Sequence, residues 1–316
     1  MLRGWTEDRV KHLREMAGVI GRQPAEPPIV SMGSTAPPYV DAPFFIRDHI
    51  VIDGAQVTRP SIDPYREPVE THVYLRGGRL RLSMPVAVKL GAHLPRVFIE
   101  GVVRACYCMG VLMMLENPAE LENYGEALVV DPAYRGVFAG YFAEPTRVSD
   151  VGGPFFAHVG SSTDFSWLPP VLEHVSGVVV DEDLGGDAEL EVVVALLDRE
   201  LRRHGVRNTV GLVAGGWSVR GADDVFKLVA LGADAVLLST CVEEALEPVK
   251  TQTVSIVQEK MENLLLGLQR EIKLLAGAAG VSSVFNTLVG NRELLRAIEL
   301  GREVRALLGV KMAGEG

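Results

Sequence analysis

The sequence has few aromatic residues, few cysteines and no long basic run. Phe, Trp and Tyr make up 6% of the 316 residues, and there are three cysteines. The formal net charge is −10 at pH 7, which disfavours contact with a nucleic-acid backbone, and the scarcity of aromatics leaves few platforms for base stacking. We therefore expect no nucleic-acid partner, and the three cysteines are in keeping with a reducing cytoplasm.

Long apolar runs are also absent. No stretch reaches the roughly 20 apolar residues that a membrane helix needs, and the charged N-terminus MLRGWTEDRVKHLREM is unlike a secretory signal. Hydrophobic residues nevertheless make up 47% of the chain, which is enough to fill a large core. These features predict a cytoplasmic protein of enzyme size that has no membrane partner and acts on a small molecule.

The most informative stretch lies between residues 211 and 240. An apolar strand ends at Gly215-Gly216, an amphipathic helix follows, and a second apolar strand ends at Ser239-Thr240. Because neighbouring parallel strands end at the same edge of a sheet, the backbone N–H groups of both turns could converge on one phosphate. In (β/α)8 barrels a phosphate site commonly follows the last two strands. The alternative is that the glycines only permit a tight turn and close packing.

Apolar segments that alternate with helical or short connections follow residue 83, and they predict an α/β fold of the (β/α)8 TIM-barrel type. The eight predicted strands are 85–90, 111–115, 127–131, 137–142, 155–159, 177–181, 209–214 and 235–238. Full helices are predicted over 96–108, 188–204 and 221–231. The connections among the third, fourth and fifth strands are too short for full helices, because a parallel crossover needs about a dozen residues. We therefore expect the barrel to be abbreviated in its middle.

The residues before the barrel, 1–83, are predicted to form a helix, a proline-rich arm and a hairpin. The helix covers 6–20 with Thr6 as its N-cap, and the arm covers 23–43. Apolar and polar residues alternate around Gly77-Gly78, which is typical of a β-hairpin and predicts a lid on the barrel.

The residues after the barrel are predicted to be helical. Residues 84–248 form the predicted barrel, and residues 249–316 form an extension packed on it. Apolar residues recur every three or four positions from Val257 to Leu275, which predicts one long helix, and further helices are predicted over 281–288 and 292–308. The long helix could also mediate a homo-oligomer.

Five segments together carry a resemblance to a known family. They are YREPVETHVYLRGGRLRLSMPV, VVRACYCMGVLMMLEN, VVVDEDLGG, VAGGWSVRGADDVFKLVALGADAVLLST and QREIKLLAGAAGVSSVFNTLVGNRELLRAI. Over most of residues 42–300 the chain resembles the FMN-binding central domain of glutamate synthase, especially the archaeal-type glutamate synthase-related proteins. The resemblance implies an FMN-dependent oxidoreductase that reductively aminates 2-oxoglutarate or a related imine.

The resemblance also implies a set of cofactor contacts. Gly215, Gly216, Ser239 and Thr240 would hold the flavin phosphate, and Gly185-Gly186 would let the backbone come close to the cofactor. The triplet Asp181–Asp183 ends a predicted strand, where it could bind a cation or a ribityl hydroxyl or simply cap the next helix.

Three further residues are candidate catalytic groups. Lys89 could stabilise negative charge on reduced flavin, Glu116 could orient an amine or amide substrate, and His93 could donate a proton. Each has a simpler interpretation, because a strand-end lysine reaches solvent, a glutamate before a proline starts a helix, and a loop histidine is often merely exposed. His158 has no second metal ligand at a useful spacing, and we predict no metal site.

The chain departs from the family at its substrate end. The loop after the first strand reads KLGAHLP, Glu116 is the only match in the turn after the second strand, and Asp187 stands where the family has threonine. Cys241 is the only cysteine after the last strand, so no iron–sulfur cluster is expected. The chain begins Met-Leu-Arg, without an N-terminal nucleophilic cysteine. Ammonia would therefore be free or come from an amidotransferase partner, and electrons could come from a donor subunit.

Two alternatives stay open. One is a flavin-free barrel aldolase or isomerase that acts on a phosphorylated small molecule and uses Lys89 as its base or Schiff-base residue. The other is a degenerate member that has lost catalysis and binds a phosphate compound or nucleotide, an interpretation favoured by the altered substrate loops.

Overall fold

The computed structural model describes residues 4–18, 45–75, 80–91, 93–115, 141–143, 155–249 and 251–315. Its strands, in chain order, are β1 (Ile50–Ile52), β2 (Val73–Leu75), β3 (Leu80–Leu82), β4 (Val86–Leu90), β5 (Leu112–Leu115), β6 (Tyr141–Ala143), β7 (Phe155–Val159), β8 (Val175–Asp181), β9 (Gly211–Gly216), β10 (Ala235–Leu238), β11 (Leu295–Ala297) and β12 (Lys311–Met312). Its helices are α1 (Glu7–Gly18), α2 (Arg96–Met109), α3 (Leu168–Val171), α4 (Leu190–Arg203), α5 (Ala222–Leu231), α6 (Thr240–Leu246), α7 (Val254–Ala278) and α8 (Arg302–Leu308).

Seven parallel strands form one curled, half-barrel sheet, in the order β5-β4-β10-β9-β8-β7-β6. The last of these strands in the chain, β10, pairs with the first, β4, and with β9, so that Val236 lies opposite both Val86 and Ala214. Pairing of the last strand with the first is the arrangement of a TIM-type barrel. The predicted α/β barrel class is therefore confirmed. The predicted strand 127–131 and most of the predicted strand 137–142 lie outside the described residues.

Most residues of the strands of this sheet are apolar because helices cover the sheet. Every residue of β4, β9 and β10 is buried, as expected for parallel strands. The three predicted crossover helices are present as α2, α4 and α5, whereas α3 alone lies between β7 and β8. Parallel strands end at one edge of the sheet, and that edge brings together the residues after β4, β8, β9 and β10.

The long helix α7 confirms the predicted apolar stripe. Its buried residues include Val257, Met261, Leu264, Leu268, Ile272 and Leu275. α7 packs against α2 and α1. The packing against α2 is close at Gly101, where a Cβ atom would lie 2.6 Å from the Cβ of Val257.

In α1 the backbone N–H of Arg9 donates to the predicted cap, Thr6 Oγ1, at 3.3 Å.

Two features outside the barrel differ from or complete the predictions. The predicted helix over 292–308 is wrong, because a 3-10 turn and β11 precede the short helix α8. β11 pairs with β1 and β12, and these distant partners outweigh the local helical pattern. β2 and β3 pair as the predicted hairpin, and its Gly77-Gly78 turn lies outside the described residues. The boundaries at residues 83 and 248 stay predictions.

The described helices include none with the length and apolar character that crossing a membrane requires.

Candidate functional site

The candidate site lies at the carboxyl ends of the parallel strands. Lys89 is the second-last residue of β4, and Asp181 is the last residue of β8. Both side chains are buried, and Lys89 Nζ lies 2.7 Å from Asp181 Oδ2. The structure thus assigns the predicted strand-end lysine to an ion pair, and the interpretation of Lys89 as a solvent-reaching side chain is wrong.

His158 in β7 joins this ion pair. Its Nε2 atom lies 2.8 Å from the same Asp181 Oδ2 atom. In the sheet His158 is in register with Val179, two residues before Asp181, and residues two apart in a strand point to the same face. The metal-ligand spacing applied to the sequence could not detect this pairing, whereas the register of two adjacent parallel strands would have.

The protonation of the ion pair follows from its surroundings. Burial alone would lower the pKa of Lys89, but its hydrogen bond to Asp181 and the charges of Asp181 and Asp183 raise the pKa above its ordinary value. Burial alone would raise the pKa of Asp181, but the hydrogen bonds from His158 and Lys89 lower it. Both groups are therefore charged at neutral pH.

Asp183 ties the end of β8 to the turn after β9. Asp183 Oδ2 lies 3.2 Å from Lys89 Nζ, and its Oδ1 atom accepts a hydrogen bond from the backbone N–H of Trp217 at 3.0 Å. The backbone N–H of Asp183 in turn donates to Asp181 Oδ1 at 3.0 Å. The acidic strand end thus caps its own turn, as one interpretation of the sequence expected, and also holds the neighbouring turn.

Glu182 is the second carboxylate that holds this turn. It accepts a hydrogen bond from the hydroxyl of Ser218. Burial raises the pKa of Glu182 to about 7, against the opposing effects of the Arg47 charge and the Ser218 hydrogen bond. Glu182 therefore changes its charge near neutral pH.

The glycine pair that ends β9 allows close approach of its neighbours. A Cβ atom on Gly215 would overlap the carbonyl oxygen of Leu237 in β10, and a Cβ atom on Gly216 would lie 3.0 Å from the Cβ of Glu182. The packing interpretation of these two glycines therefore holds for the described atoms. Their role in a phosphate site stays a prediction.

Ser239 and Thr240 follow β10 at the same edge. Ser239 is buried, and its hydroxyl oxygen has no hydrogen-bond partner among the described residues. A buried hydroxyl without a partner is unfavourable by about 1–3 kcal/mol, which is the condition that a bound polar ligand would relieve. Thr240 is the first residue of α6 and is half-buried.

Gly185-Gly186 contact protein backbone. The N–H of Ser161 donates to the carbonyl of Gly185 at 2.8 Å, and a Cβ atom on Gly186 would overlap the carbonyl of Ser161. The two glycines also line a cavity of about 370 Å³ beside Phe45 and Trp217. Their approach to a cofactor stays a prediction.

The two remaining predicted catalytic residues are placed differently. The side chain of His93 is 71% exposed, and its Nε2 atom lies 3.7 Å from Glu243 Oε2. The pKa of Glu243 is raised by burial and by the charge of Asp183, with His93 opposing. Glu116 lies outside the described residues. Within the described ranges no group of three or more His, Cys, Asp and Glu side chains is arranged to hold a metal ion.

No sequence pattern pointed to Arg47, which is fully buried beneath the turn after β9. Arg47 donates to the carbonyl and the hydroxyl of Ser218, each at 2.6 Å. It follows a proline-rich segment and has no motif around it, so only its burial in the folded chain reveals its position.

Curated relatives of the chain share one description. No protein-family model matches the chain. The archaeal-type glutamate synthase [NADPH] of Thermotoga maritima is 26% identical, in an alignment that covers 91% of this chain and 80% of that protein. The archaeal glutamate synthase [NADPH] of Archaeoglobus fulgidus is 27% identical over 98% of this chain and 84% of that protein. The corresponding protein of Methanocaldococcus jannaschii is 35% identical over 148 residues, which are 40% of this chain and 29% of that protein.

The alignments also show a difference in length. Those with the Thermotoga and Archaeoglobus proteins contain 415 and 441 positions, which is more than the 316 residues of this chain. The relatives therefore contain segments that this chain lacks. This agrees with the short connections predicted among the third, fourth and fifth strands.

Solved structures with a similar fold include flavoproteins. The flavin-binding domain of baker's yeast flavocytochrome b2 matches with a TM-score of 0.57 at 16% identity, over 83% of this chain and 81% of that chain. A mandelate oxidase variant with an FMN adduct matches with a TM-score of 0.52 at 19% identity, over 76% of this chain and 86% of that chain. Over most of its length, the chain is a homologue of the archaeal-type glutamate synthases, and it is built on the α/β barrel fold of these structures.

Proposed function

We propose that this protein is an FMN-dependent oxidoreductase of the glutamate synthase type. It reductively aminates 2-oxoglutarate or a related imine. The ammonia is free or is delivered by an amidotransferase partner. The electrons come from a partner subunit or from a reduced nucleotide. The proposal is supported by relatives named glutamate synthase [NADPH] and by flavoproteins of the same fold.

The observation that carries the cofactor assignment is the hydroxyl of Ser239, which has no hydrogen-bond partner among the described residues. It is buried at the end of β10, beside the end of β9, where Leu238 pairs with Gly216. This is the place at which barrels bind phosphate after their last two strands. A phosphate oxygen would accept the Ser239 hydrogen bond, and the Gly215-Gly216 backbone is retained as a predicted contact although Leu237 and Glu182 fill the space of the missing side chains. The donor set at β10 thus fits the FMN phosphate.

The donors of the turn after β9 fit less well. The N–H of Trp217 and the hydroxyl of Ser218 already donate to Asp183 and Glu182. A phosphate would have to approach these two carboxylates, and like charges repel. We therefore assign the phosphate to Ser239 and Thr240 and the Gly215-Gly216 backbone, and we assign no phosphate contact to Trp217 or Ser218.

Bound FMN would supply hydride transfer. The residues of this chain would supply charge and orientation. Lys89 is held as an ammonium by Asp181 and Asp183, and because these two carboxylates outweigh its charge, its contribution at the barrel mouth would be a hydrogen-bond donor. Asp181 holds Nε2 of His158, which fixes the orientation of the imidazole ring. His93 and Glu116 stay candidates for the proton donor and the residue that orients the substrate.

Two observations favour a second candidate, a barrel that binds its ligand without catalysis. The acidic turn Glu182–Leu184 occupies donors that a phosphate could use, and the chain lacks segments of its relatives. The aldolase or isomerase alternative is less favoured, because a base or Schiff-base lysine must be neutral and the raised pKa of Lys89 keeps it charged.

A visible absorption spectrum tests the cofactor assignment. The purified protein is incubated with excess FMN and desalted, and the retained flavin is measured for the wild type, Ser239→Ala and Ser283→Ala. Ser283 is buried to a similar degree as Ser239 but caps the segment Val284–Leu288. We expect retention by the wild type and Ser283→Ala, and about tenfold weaker binding by Ser239→Ala. No retention by the wild type would reject the oxidoreductase.

Turnover then separates the two candidates. A flavin-loaded protein that consumes reduced nicotinamide cofactor with 2-oxoglutarate and ammonia supports the oxidoreductase. A flavin-loaded protein whose flavin is not reduced by any nicotinamide or ferredoxin donor supports the binding-only protein.

A further inference from the structure

We propose that Arg47 is a positioning residue, which holds the turn after β9 (residues 217–221) against the acidic turn Glu182–Leu184 at the ligand-binding edge of the barrel. The inference rests on the proposed function for its ligand, FMN. The dependence of the conformation of this turn on Arg47 can be measured without a ligand.

The guanidinium of Arg47 contacts both the turn and the neighbouring helix. The Nη2 atom of Arg47 donates to the carbonyl and the hydroxyl of Ser218, each at 2.6 Å. Its Nη1 atom donates to Glu191 Oε1 in α4 at 2.5 Å. The Nε atom lies 3.2 Å from Asp224 Oδ1 in α5. One side chain thus joins the turn to the helices on both sides of β9, and a planar, forked guanidinium is suited to this.

The residues beside Arg47 hold the same turn. Asp48 Oδ2 lies 3.2 Å from Arg220 Nη1, and the Arg220 side chain also pairs with Asp224. The Phe45 ring lies 4.3 Å from the guanidinium carbon of Arg47 and 4.9 Å from that of Arg220. The edge of the same ring contacts Trp217, with ring centroids 5.6 Å apart. The segment from Phe45 to Asp48 therefore contacts both ends of the turn from Trp217 to Arg220.

A buried lysine fixes the backbone of this segment. Lys227 in α5 is fully buried, and its Nζ atom donates to the carbonyl of Arg47 at 3.0 Å. The backbone N–H of Arg47 donates to Glu191 at 3.3 Å. The main chain at residue 47 is thus held from two helices before its side chain reaches the turn.

The location of this network favours positioning over stability. Buried ion pairs are often no more stabilising than apolar residues of similar volume, so stability alone does not explain a fully buried arginine. Arg47 acts at the carboxyl end of β9, through Ser218, which also donates to Glu182 at the edge of the candidate site. A change in the position of Arg47 therefore reaches the site through one intervening residue.

The chain contains a matched control at the other end of the same strands. Arg207 is buried before β9 and pairs with Asp198 at 2.7 Å and with Asp234 at 3.0 Å. It also donates to the carbonyl of Gly232 at 2.7 Å. Arg207 is thus a buried arginine with two carboxylate partners, but it lies away from the ligand-binding edge, where barrel residues serve stability.

The first test is hydrogen–deuterium exchange of the wild type, Arg47→Lys and Arg207→Lys without ligand. We expect the amides of residues 217–221 to exchange about tenfold faster in Arg47→Lys and within about twofold of wild type in Arg207→Lys. Faster exchange in Arg207→Lys should instead appear near Leu212 and Gly232. Unchanged exchange of the turn in Arg47→Lys, or an equal increase in both variants, would overturn the proposal.

The second test is FMN affinity, measured by flavin fluorescence on the same proteins. We expect a Kd about tenfold higher for Arg47→Lys and within about threefold of wild type for Arg207→Lys. Equal affinities of the two variants would overturn the role of Arg47 in ligand binding. If the wild type binds no FMN, the proposed function fails, whereas the exchange experiment still decides whether Arg47 positions the turn.

A milder variant covers the case in which Arg47→Lys does not fold. Glu191→Gln keeps the shape of the Arg47 partner and removes its charge. We expect a smaller increase of exchange, about threefold, at the same residues 217–221. An increase spread evenly over the sheet would indicate a purely structural role and overturn the proposal.

Discussion

Lys89 reaches Asp181 across the concave face of the sheet. The two residues are in β4 and β8, which are separated in the sheet by β10 and β9, and their charged atoms lie 2.7 Å apart. In a flat sheet these strands would be about 14 Å apart, since neighbouring strands are about 4.8 Å apart. The ion pair therefore depends on the curl of the sheet.

Removing the charge of Lys89 should destabilise the protein. In Lys89→Met, His158 is the one described side chain that still forms a hydrogen bond with the buried Asp181. Breaking a buried ion pair is unfavourable by about 3–5 kcal/mol. Urea unfolding at pH 7 measures the change. The control is Lys11→Met, which removes an exposed lysine 3.9 Å from Glu15 and should change stability by less than about 0.5 kcal/mol. Equal unfolding midpoints for the two variants would show that the ion pair contributes nothing.

Lys89 should not form a Schiff base. Its raised pKa keeps the ammonium protonated at neutral pH, and only the neutral amine attacks a carbonyl. Incubation with a phosphorylated aldehyde and borohydride at pH 7, followed by peptide mass spectrometry, should give no adduct at Lys89 in excess of that at exposed Lys11. A stoichiometric adduct at Lys89 would restore the aldolase alternative.

Glu182 should make stability depend on pH. Its pKa is about 7 in the folded protein, above the ordinary value of about 4.3, so the folded state retains the proton longer. Its contribution to stability is therefore present below about pH 4.3 and is lost as the pH rises through about 7. Glu182→Gln removes this loss. The free energy of unfolding of the variant, relative to wild type, should rise by about 2–3 kcal/mol between pH 5 and pH 8.

Urea unfolding at several pH values checks this effect. Glu67→Gln, a change of an exposed carboxylate, controls for the loss of one negative charge. If the curves of wild type and Glu182→Gln run parallel from pH 5 to pH 8, Glu182 does not titrate in this range.

A side chain at Gly215 should disrupt the pairing of β9 with β10. A Cβ atom there would overlap the carbonyl of Leu237, whereas a Cβ atom on Gly54 would meet no atom within 4 Å. Overpacking of a buried position is unfavourable by about 1–3 kcal/mol. We expect Gly215→Ala to unfold at lower urea concentration and Gly54→Ala to behave as wild type. Equal unfolding midpoints of the two variants would show that β9 and β10 can move apart at Gly215 without loss of stability.

The sequence predicted elements whose pattern is local. The apolar stripe of α7 follows from the periodicity of a helix, and the strands β4, β7 and β10 follow from short apolar runs. The same reasoning failed over 292–308, where Leu295 and Ala297 are buried in a strand whose partner, β1, is more than 240 residues earlier in the chain.

The candidate site was predicted only in part. Ser239 and the glycine pair of β9 could be found, since they end predicted strands. Asp181, His158 and Arg47 could not be assigned their partners, because the contacts depend on the order and curl of strands and on the path of the chain before β1.

The sequence by itself determined which segments become strands and helices of the barrel and where its strands end, because those properties depend on residues a few positions apart. The tertiary structure decided which charges meet. Lys89 pairs with Asp181 across three strand spacings, and Arg47 reaches Ser218 from 171 residues away in the chain. Such pairs form only when folding removes water from both partners and brings distant segments together, so the energy of each contact is a property of the assembled core.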